Sequence, residues 1–220
     1  MALIDPFERH IEYLRVSITD RCNYRCGYCM PEQGVHPEGH HSEYLTFDEL
    51  TRIISAFVRL GVKKVRVTGG EPLVRKGVPG FISQISPLPG LKEIALSTNA
   101  HHLAKHAVAL KEAGLDRANV SIDSLKPKLF KEITRGGDLD KVLAGVQAGI
   151  DAGLNPMKFN MVVMKGTNHT EIKDMIDFGI EHGVEVRFIE TMPIGPAGVS
   201  MMDQHYAMKD ILRDVKAHVG

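Results

Sequence analysis

Four helix-like stretches of this chain end in near-copies of one step. Leu-Gly-Val precedes Lys63, Ala-Gly-Leu precedes Asp116, Ala-Gly-Leu precedes Asn155 and His-Gly-Val precedes Glu185. A glycine at such a place adopts the left-handed conformation that stops a helix, and the next apolar residue turns back toward a strand. Each step closes an amphipathic pattern, over Thr46–Leu60, Leu103–Ala113, Leu139–Ala152 and Glu171–His182. In the first, Leu50, Ile53, Ile54, Phe57 and Val58 share a face, and Thr46 and Glu49 have the spacing of a capping box. A further helix-like stretch, Tyr206–Ala217, closes the chain. Short β-like runs lie at Tyr13–Thr19, Lys64–Thr68, Glu93–Thr98, Ala118–Asp123, Met157–Val163 and Glu185–Glu190. The unit recurs at variable spacing, so it is a fold repeat and not a solenoid period. Alternating strands and helices predict an α/β fold with a parallel sheet faced by helices. No Ser- or Pro-rich linker divides residues 1–220, and one domain is expected.

The strands alternate where fully covered parallel strands would read as continuous apolar runs. Arg15, Ser17 and Thr19 oppose Val16 and Ile18; Lys64, Arg66 and Thr68 oppose Val65 and Val67. Ser97 and Asn99, then Asn119, Ser121 and Asp123, then Lys158 and Asn160, continue the polar face. The pattern predicts a partial (β/α)6 barrel of TIM type, apolar outside and polar within. A complete eight-stranded barrel fills its interior with branched side chains, whereas a polar lumen leaves room for a ligand. Arg15, Lys64, Arg66 and Lys158 on that face imply an anionic, phosphate-bearing one, because unpaired cations are costly to enclose. The competing reading places some of these residues at strand ends in water.

Composition narrows the class. Lys plus Arg and Asp plus Glu both number 27, and this balance argues against nonspecific nucleic-acid binding. No apolar run reaches the roughly 18–20 residues of a membrane span. The N-terminus reads as complete and without a secretory signal, so a cytoplasmic location is expected. All 3 cysteines fall between positions 22 and 29, which suits reduced thiols binding something better than a disulfide framework.

Those cysteines, Cys22, Cys26 and Cys29, are spaced C-x3-C-x2-C in Thr-Asp-Arg-Cys-Asn-Tyr-Arg-Cys-Gly-Tyr-Cys-Met-Pro. Three thiolates would satisfy three irons of a [4Fe–4S] cluster, leaving the fourth open to a small molecule. A helical seam is disfavoured by Asn23, Gly27 and Pro31. A Cys3His zinc site with His36, His40 or His41 as fourth ligand stays open on the cysteines alone.

With Tyr28 just before the last cysteine, the motif resembles the signature of radical S-adenosylmethionine (radical SAM) enzymes. Val-Thr-Gly69-Gly70-Glu71-Pro after the second strand resembles the glycine-rich motif of the same family. The resemblance implies a [4Fe–4S] cluster on the three thiolates and S-adenosylmethionine on the open iron. It further implies one-electron cleavage of the sulfonium to a 5′-deoxyadenosyl radical. Leu14–Cys26, Arg66–Arg75, Asn119–Leu125 and Arg187–Pro193 narrow the likeness to the GTP 3′,8-cyclase branch, which starts molybdopterin synthesis.

By that likeness Tyr28, Gly69, Gly70, Glu71, Ser121 and Met192 contact S-adenosylmethionine. Arg15, Lys64, Arg66, Ser97, Lys158 and Arg187 contact GTP, with Ser97 where the branch usually has Thr. Asn99-Ala100 stands where it usually has Asn-Gly. An electron donor and a homodimer are also implied. The branch carries a second three-cysteine cluster beyond this region. No cysteine follows Cys29, so the expectation is a C-terminally shortened chain with impaired cyclisation. The alternatives are a radical SAM enzyme acting on a peptide or another metabolite, and a noncatalytic zinc-stabilised binding module.

Overall fold

The computed structural model describes residues 3–34, 44–193 and 195–220. Six strands form one parallel sheet in sequence order: β1 (Tyr13–Ser17), β2 (Lys64–Thr68), β3 (Glu93–Thr98), β4 (Arg117–Ser121), β5 (Lys158–Val163) and β6 (Glu185–Glu190). Helices α1 (Phe47–Arg59), α2 (Val78–Ile85), α3 (Ala107–Glu112), α4 (Pro127–Thr134), α5 (Leu139–Asp151), α6 (Ile172–His182), α7 (Gly195–Ser200) and α8 (Met208–Val219) complete the chain.

Local chemistry explains the boundaries. Thr46 and Glu49 form the capping box that starts α1. Gly61, Gly114, Gly153 and Gly183 all have positive φ, so the repeated step is the helix stop expected of it. Four expectations need correction. The first strand ends at Ser17 and not Thr19, and the fourth is Arg117–Ser121, one residue earlier at its start and two at its end. The stretch 103–113 is a short 3-10 turn, Leu103–Lys105, followed by α3. The last helix is displaced to Met208–Val219.

Apolar strand residues face the helices. Val65, Val67, Ile94, Leu96, Val120 and Phe159 are buried in one core with Leu50 and Ile54 of α1, Phe81 and Ile82 of α2, and Val142 and Val146 of α5. The opposite face surrounds a cavity lined from all six strands, including Arg15 of β1 and Arg187 of β6. A flat sheet would hold its outer strands about 24 Å apart. The sheet therefore curves around the cavity as a partial barrel whose β1 and β6 edges do not pair.

Candidate active site

The cysteine loop follows β1 and is held by backbone bonds on two sides. Gly70 and Glu71 donate their N–H groups to the carbonyls of Thr19 and Arg21, at 2.7 and 2.8 Å. A Cβ at Gly69 would stand 2.5 Å from the Thr19 carbonyl oxygen, and one at Gly70 would stand 2.6 Å from that of Asp20. The glycine pair is thus required for β2 to exit against the loop. On the other side Arg25 and Gly27 donate to the carbonyls of Thr134 and Ile133, the orphan acceptors at the end of α4. Arg75 stacks on Phe47 at 4.1 Å and donates to the Ile18 carbonyl at 2.6 Å, fixing the entry to the loop.

All three thiols line one cavity of about 670 Å³ together with Gly69, Gly70, Glu71 and, farther along the strands, Arg15, Arg66, Ser97, Ser121, Asn160 and Arg187. The N–H groups of Cys29 and Met30 both donate to the Cys26 carbonyl, curling the chain so that the last two cysteines sit on one turn. Tyr24 donates its backbone N–H to Sγ of Cys22 at 3.4 Å. Burial pushes the Cys22 and Cys26 thiols up, so forming a thiolate costs more here than in water. Among the described residues, no three Cys, His, Asp or Glu side chains gather tightly enough for a single metal ion. Cluster thiolates, which bind separate irons, need no such convergence. His36, His40 and His41, the candidates for a zinc ligand, lie outside the described residues.

Glu71 is buried, and its carboxylate accepts from Leu73 N–H at 3.0 Å, the Thr98 hydroxyl at 2.8 Å and Asn99 N–H at 2.6 Å. Burial pushes its carboxyl above the usual range. Those bonds tie the glycine motif to the end of β3.

Met192, Lys64 and Lys158 do not line the main cavity. Met192 borders a neighbouring cavity of about 260 Å³ shared with Tyr28 and Cys29. Lys158 and Arg187 both meet Glu185, each at 2.6 Å, and Lys64 lies 4.0 Å from Glu93. Three of the cations expected in the lumen therefore have internal counter-ions that the polar alternation did not reveal. Arg66 differs: its guanidinium lies over the Tyr13 ring, and its Nε is buried with no hydrogen-bond partner.

Arg117 and Glu93 are a lumen pair missing from the sequence reading. Arg117 fell one residue outside the expected strand, although continuing the alternation back from Asn119 would have placed it on the polar face. Tyr24, Thr68, Asn99 and Asn160 also line the cavity; the last three were on the polar face but carried no expected role.

A profile of the radical SAM superfamily matches residues 16–179. The chain belongs to the radical SAM superfamily. Radical SAM proteins work with a [4Fe–4S] cluster and S-adenosylmethionine, and the thiol trio beside the glycine motif has the donors such a pair requires. The GTP 3′,8-cyclase of Hydrogenovibrio crunogenus is 76% identical over 220 residues, covering 100% of this chain and 66% of its own. That of Alkaliphilus metalliredigens is 47% identical over 215 residues, covering 98% of this chain and 67% of its own. The chain thus spans about two thirds of the length of these curated relatives. Among solved structures, Streptococcus suis SuiB bound to precursor peptide SuiA superimposes with a TM-score of 0.77 at 18% identity, over 95% of this chain and 46% of that one. The coproporphyrinogen III oxidase HemN of Escherichia coli, a radical SAM enzyme, gives 0.61 at 15% identity, over 93% and 51%. These likenesses place the fold among the partial TIM-type barrels of the superfamily.

Proposed function

We propose that this chain is the radical-generating core of a GTP 3′,8-cyclase, acting in the cytoplasm in molybdenum-cofactor biosynthesis. The observation that carries the reading is one cavity lined by three thiols and by two guanidiniums, Arg15 and Arg66, paired in register on adjacent strands. The relatives named GTP 3′,8-cyclase support the same assignment. In this reading Cys22, Cys26 and Cys29 hold the cluster, and Tyr28, Gly69, Gly70, Ser121 and Met192 surround S-adenosylmethionine. Glu71 acts from behind, holding the glycine motif in place. Bound there, cluster and S-adenosylmethionine supply one-electron reductive cleavage chemistry. Arg15 and Arg66 bind the triphosphate, Arg66 through the donor that the protein leaves unmet, and Ser97 adds a hydroxyl. Lys158, Arg187 and Lys64 join them as their glutamate partners give way. An electron donor and a second copy of the chain belong to the same reading.

The test uses anaerobically prepared protein. Iron and acid-labile sulfide should be present in wild type and lost in each of Cys22→Ala, Cys26→Ala and Cys29→Ala. Arg66→Ala should weaken GTP while sparing S-adenosylmethionine, losing a charge-assisted contact worth roughly 1.5–3 kcal/mol. Zinc without iron, or equal weakening of both ligands, would overturn the assignment.

A further inference from the structure

Asn99 lines the cavity together with the three thiols and belongs to neither ligand set of the reading above. It directly follows β3, and its Nδ2 stands 4.0 Å from Sγ of Cys22. Three bonds fix how its amide points. The backbone N–H of Asn99 donates to Oε2 of Glu71 at 2.6 Å. Its Oδ1 accepts from the His101 N–H at 3.0 Å. A backbone N–H only donates, so the atom it meets is the amide oxygen, and the amide cannot turn over. Finally, Nδ2 donates to Oδ1 of Asn23 at 2.9 Å. An amide nitrogen carries two hydrogens, and the second is left for the sulfur.

The same sulfur accepts the Tyr24 N–H at 3.4 Å. His101 serves both donors. Its backbone sets Asn99, and its ring Nδ1 lies 3.0 Å from the hydroxyl of the buried Tyr24. A neutral thiol is a weak acceptor, and 4.0 Å is a long contact for it. Iron changes the demand, because the ligand is then a thiolate, and a donor facing a charged acceptor makes a bond roughly twice as strong as a neutral pair. Hydrogen bonds to the sulfurs are among the features that set the potential of an iron–sulfur cluster. The partial positive charge of each donor favours the reduced form, which is the more negative one. A turn at Asn99 accounts for its Oδ1 bond, but it does not call for a nitrogen directed at a cysteine.

We propose that Asn99 donates to the Cys22 thiolate and raises the reduction potential of the cluster, easing uptake of the electron that the radical chemistry requires. The proposal rests on the reading above that Cys22 is a cluster ligand.

The test measures the potential itself and not turnover. The full chain is prepared anaerobically with its cluster loaded and without S-adenosylmethionine. Electron paramagnetic resonance counts the reduced cluster over a series of poised potentials. Asn99→Ser keeps an oxygen for the His101 N–H, but its side chain is too short to replace Nδ2. At the wild-type midpoint its ratio of reduced to oxidised cluster should fall about three- to tenfold, roughly 30–60 mV for one electron. Asn99→Asp keeps the shape and the turn, replaces the donor with an acceptor, and should lower the potential at least as far. Iron and acid-labile sulfide should match wild type in both. Asn160→Ser, a change of another cavity-lining amide, should leave the potential in place.

An unchanged or higher potential in either Asn99 variant that keeps its cluster overturns the proposal, as does an equal fall in Asn160→Ser. Loss of the cluster from both Asn99 variants makes the residue a structural one and overturns it as well. Loss from one alone leaves the decision to the other. Wild type without iron, or iron that survives Cys22→Ala, refutes the ligand reading and the proposal with it. Normal iron with unmoved potentials refutes the proposal alone.

Discussion

Tyr28 donates its hydroxyl to Oδ2 of Asp123 across 2.7 Å, joining the cysteine loop to the chain leaving β4. The other carboxylate oxygen, Oδ1, accepts from the Val162 N–H of β5 at 2.9 Å. Asn168, also fully buried, donates to the Asp123 carbonyl at 2.8 Å. One buried aspartate therefore binds the loop that carries the thiols to two adjacent strands. Burial outweighs those two donors and pushes its carboxyl up to about 6.

The sign of the resulting pH dependence follows directly. An exposed aspartate titrates near 3.8, so between that value and about 6 the folded state holds more protons than the unfolded one. The stability this proton contributes is complete below about pH 4 and is lost as pH rises through 6. Against Asp123→Asn, which can still meet Tyr28 by letting the phenol oxygen accept, wild type should lose on the order of 2–3 kcal/mol over that window. Above pH 7 the difference should be flat. Urea unfolding at a series of pH values checks it. A difference that grows across the window would mean that Asp123 is charged and well paired when folded.

Much of this arrangement was legible because it rests on local chemistry. The Gly61, Gly114, Gly153 and Gly183 stops, the Thr46 cap and the cysteine spacing each depend on a few adjacent residues. Helices α2 and α4 were not legible: each has 8 residues with a proline in its first turn, too short for a periodicity of 3.6 to show. The counter-ions Glu93 and Glu185 stand at the first positions of their strands, where alternation has barely begun. The Tyr28–Asp123 bond spans 95 residues of chain, and the placing of Arg66 beside Ala95 depends on strand register. Both are tertiary facts that no local pattern encodes.

Substitution at Gly70 tests the contact between β2 and the cysteine loop. Gly70→Ala drives a methyl group into the carbonyls of Asp20 and Arg21, and backbone cannot yield as a side chain can. The expected loss is about 2 kcal/mol or more, in the range of overpacking, with a fall in iron content. Gly80→Ala is the control. It lies exposed in α2 with nothing within 4 Å of the new carbon, and it should stabilise by about 0.5–1 kcal/mol. Equal behaviour of the two variants would remove the steric account of the motif.

Ala100 is a fully buried residue held at φ 60°, the conformation for which Asn-Gly is suited. Left-handed backbone costs an L-residue about 1–2 kcal/mol. Losing a buried methyl costs about 0.8 kcal/mol, and glycine adds unfolded-state freedom worth roughly 0.5–1 kcal/mol. These oppose each other, so Ala100→Gly should lie within about 1 kcal/mol of wild type. Ala118→Gly, equally buried in β4 but without positive φ, should cost about 1–2 kcal/mol. Urea midpoints of the two variants give the comparison, and a matching large loss at Ala100 would deny that strain is relieved.

Glu185 provides the last test, because it holds two of the cations assigned to GTP. Its Oε2 meets Nζ of Lys158 and its Oε1 meets Nε of Arg187, each at 2.6 Å. Those two bonds keep its carboxyl below the usual range, so the pairs persist at neutral pH and are lost only under acid conditions. A triphosphate reaching Lys158 must compete with this carboxylate. Glu185→Gln removes the competing charge while keeping a hydrogen-bond acceptor for either partner. Triphosphate affinity should therefore rise several-fold, equivalent to about 1 kcal/mol. Stability should change little, since exposed ion pairs contribute about 0–1 kcal/mol. Binding of GTP by the cluster-loaded protein at fixed ionic strength measures the effect. Weaker binding would give Glu185 the opposite role, that of holding Lys158 and Arg187 where the phosphates need them.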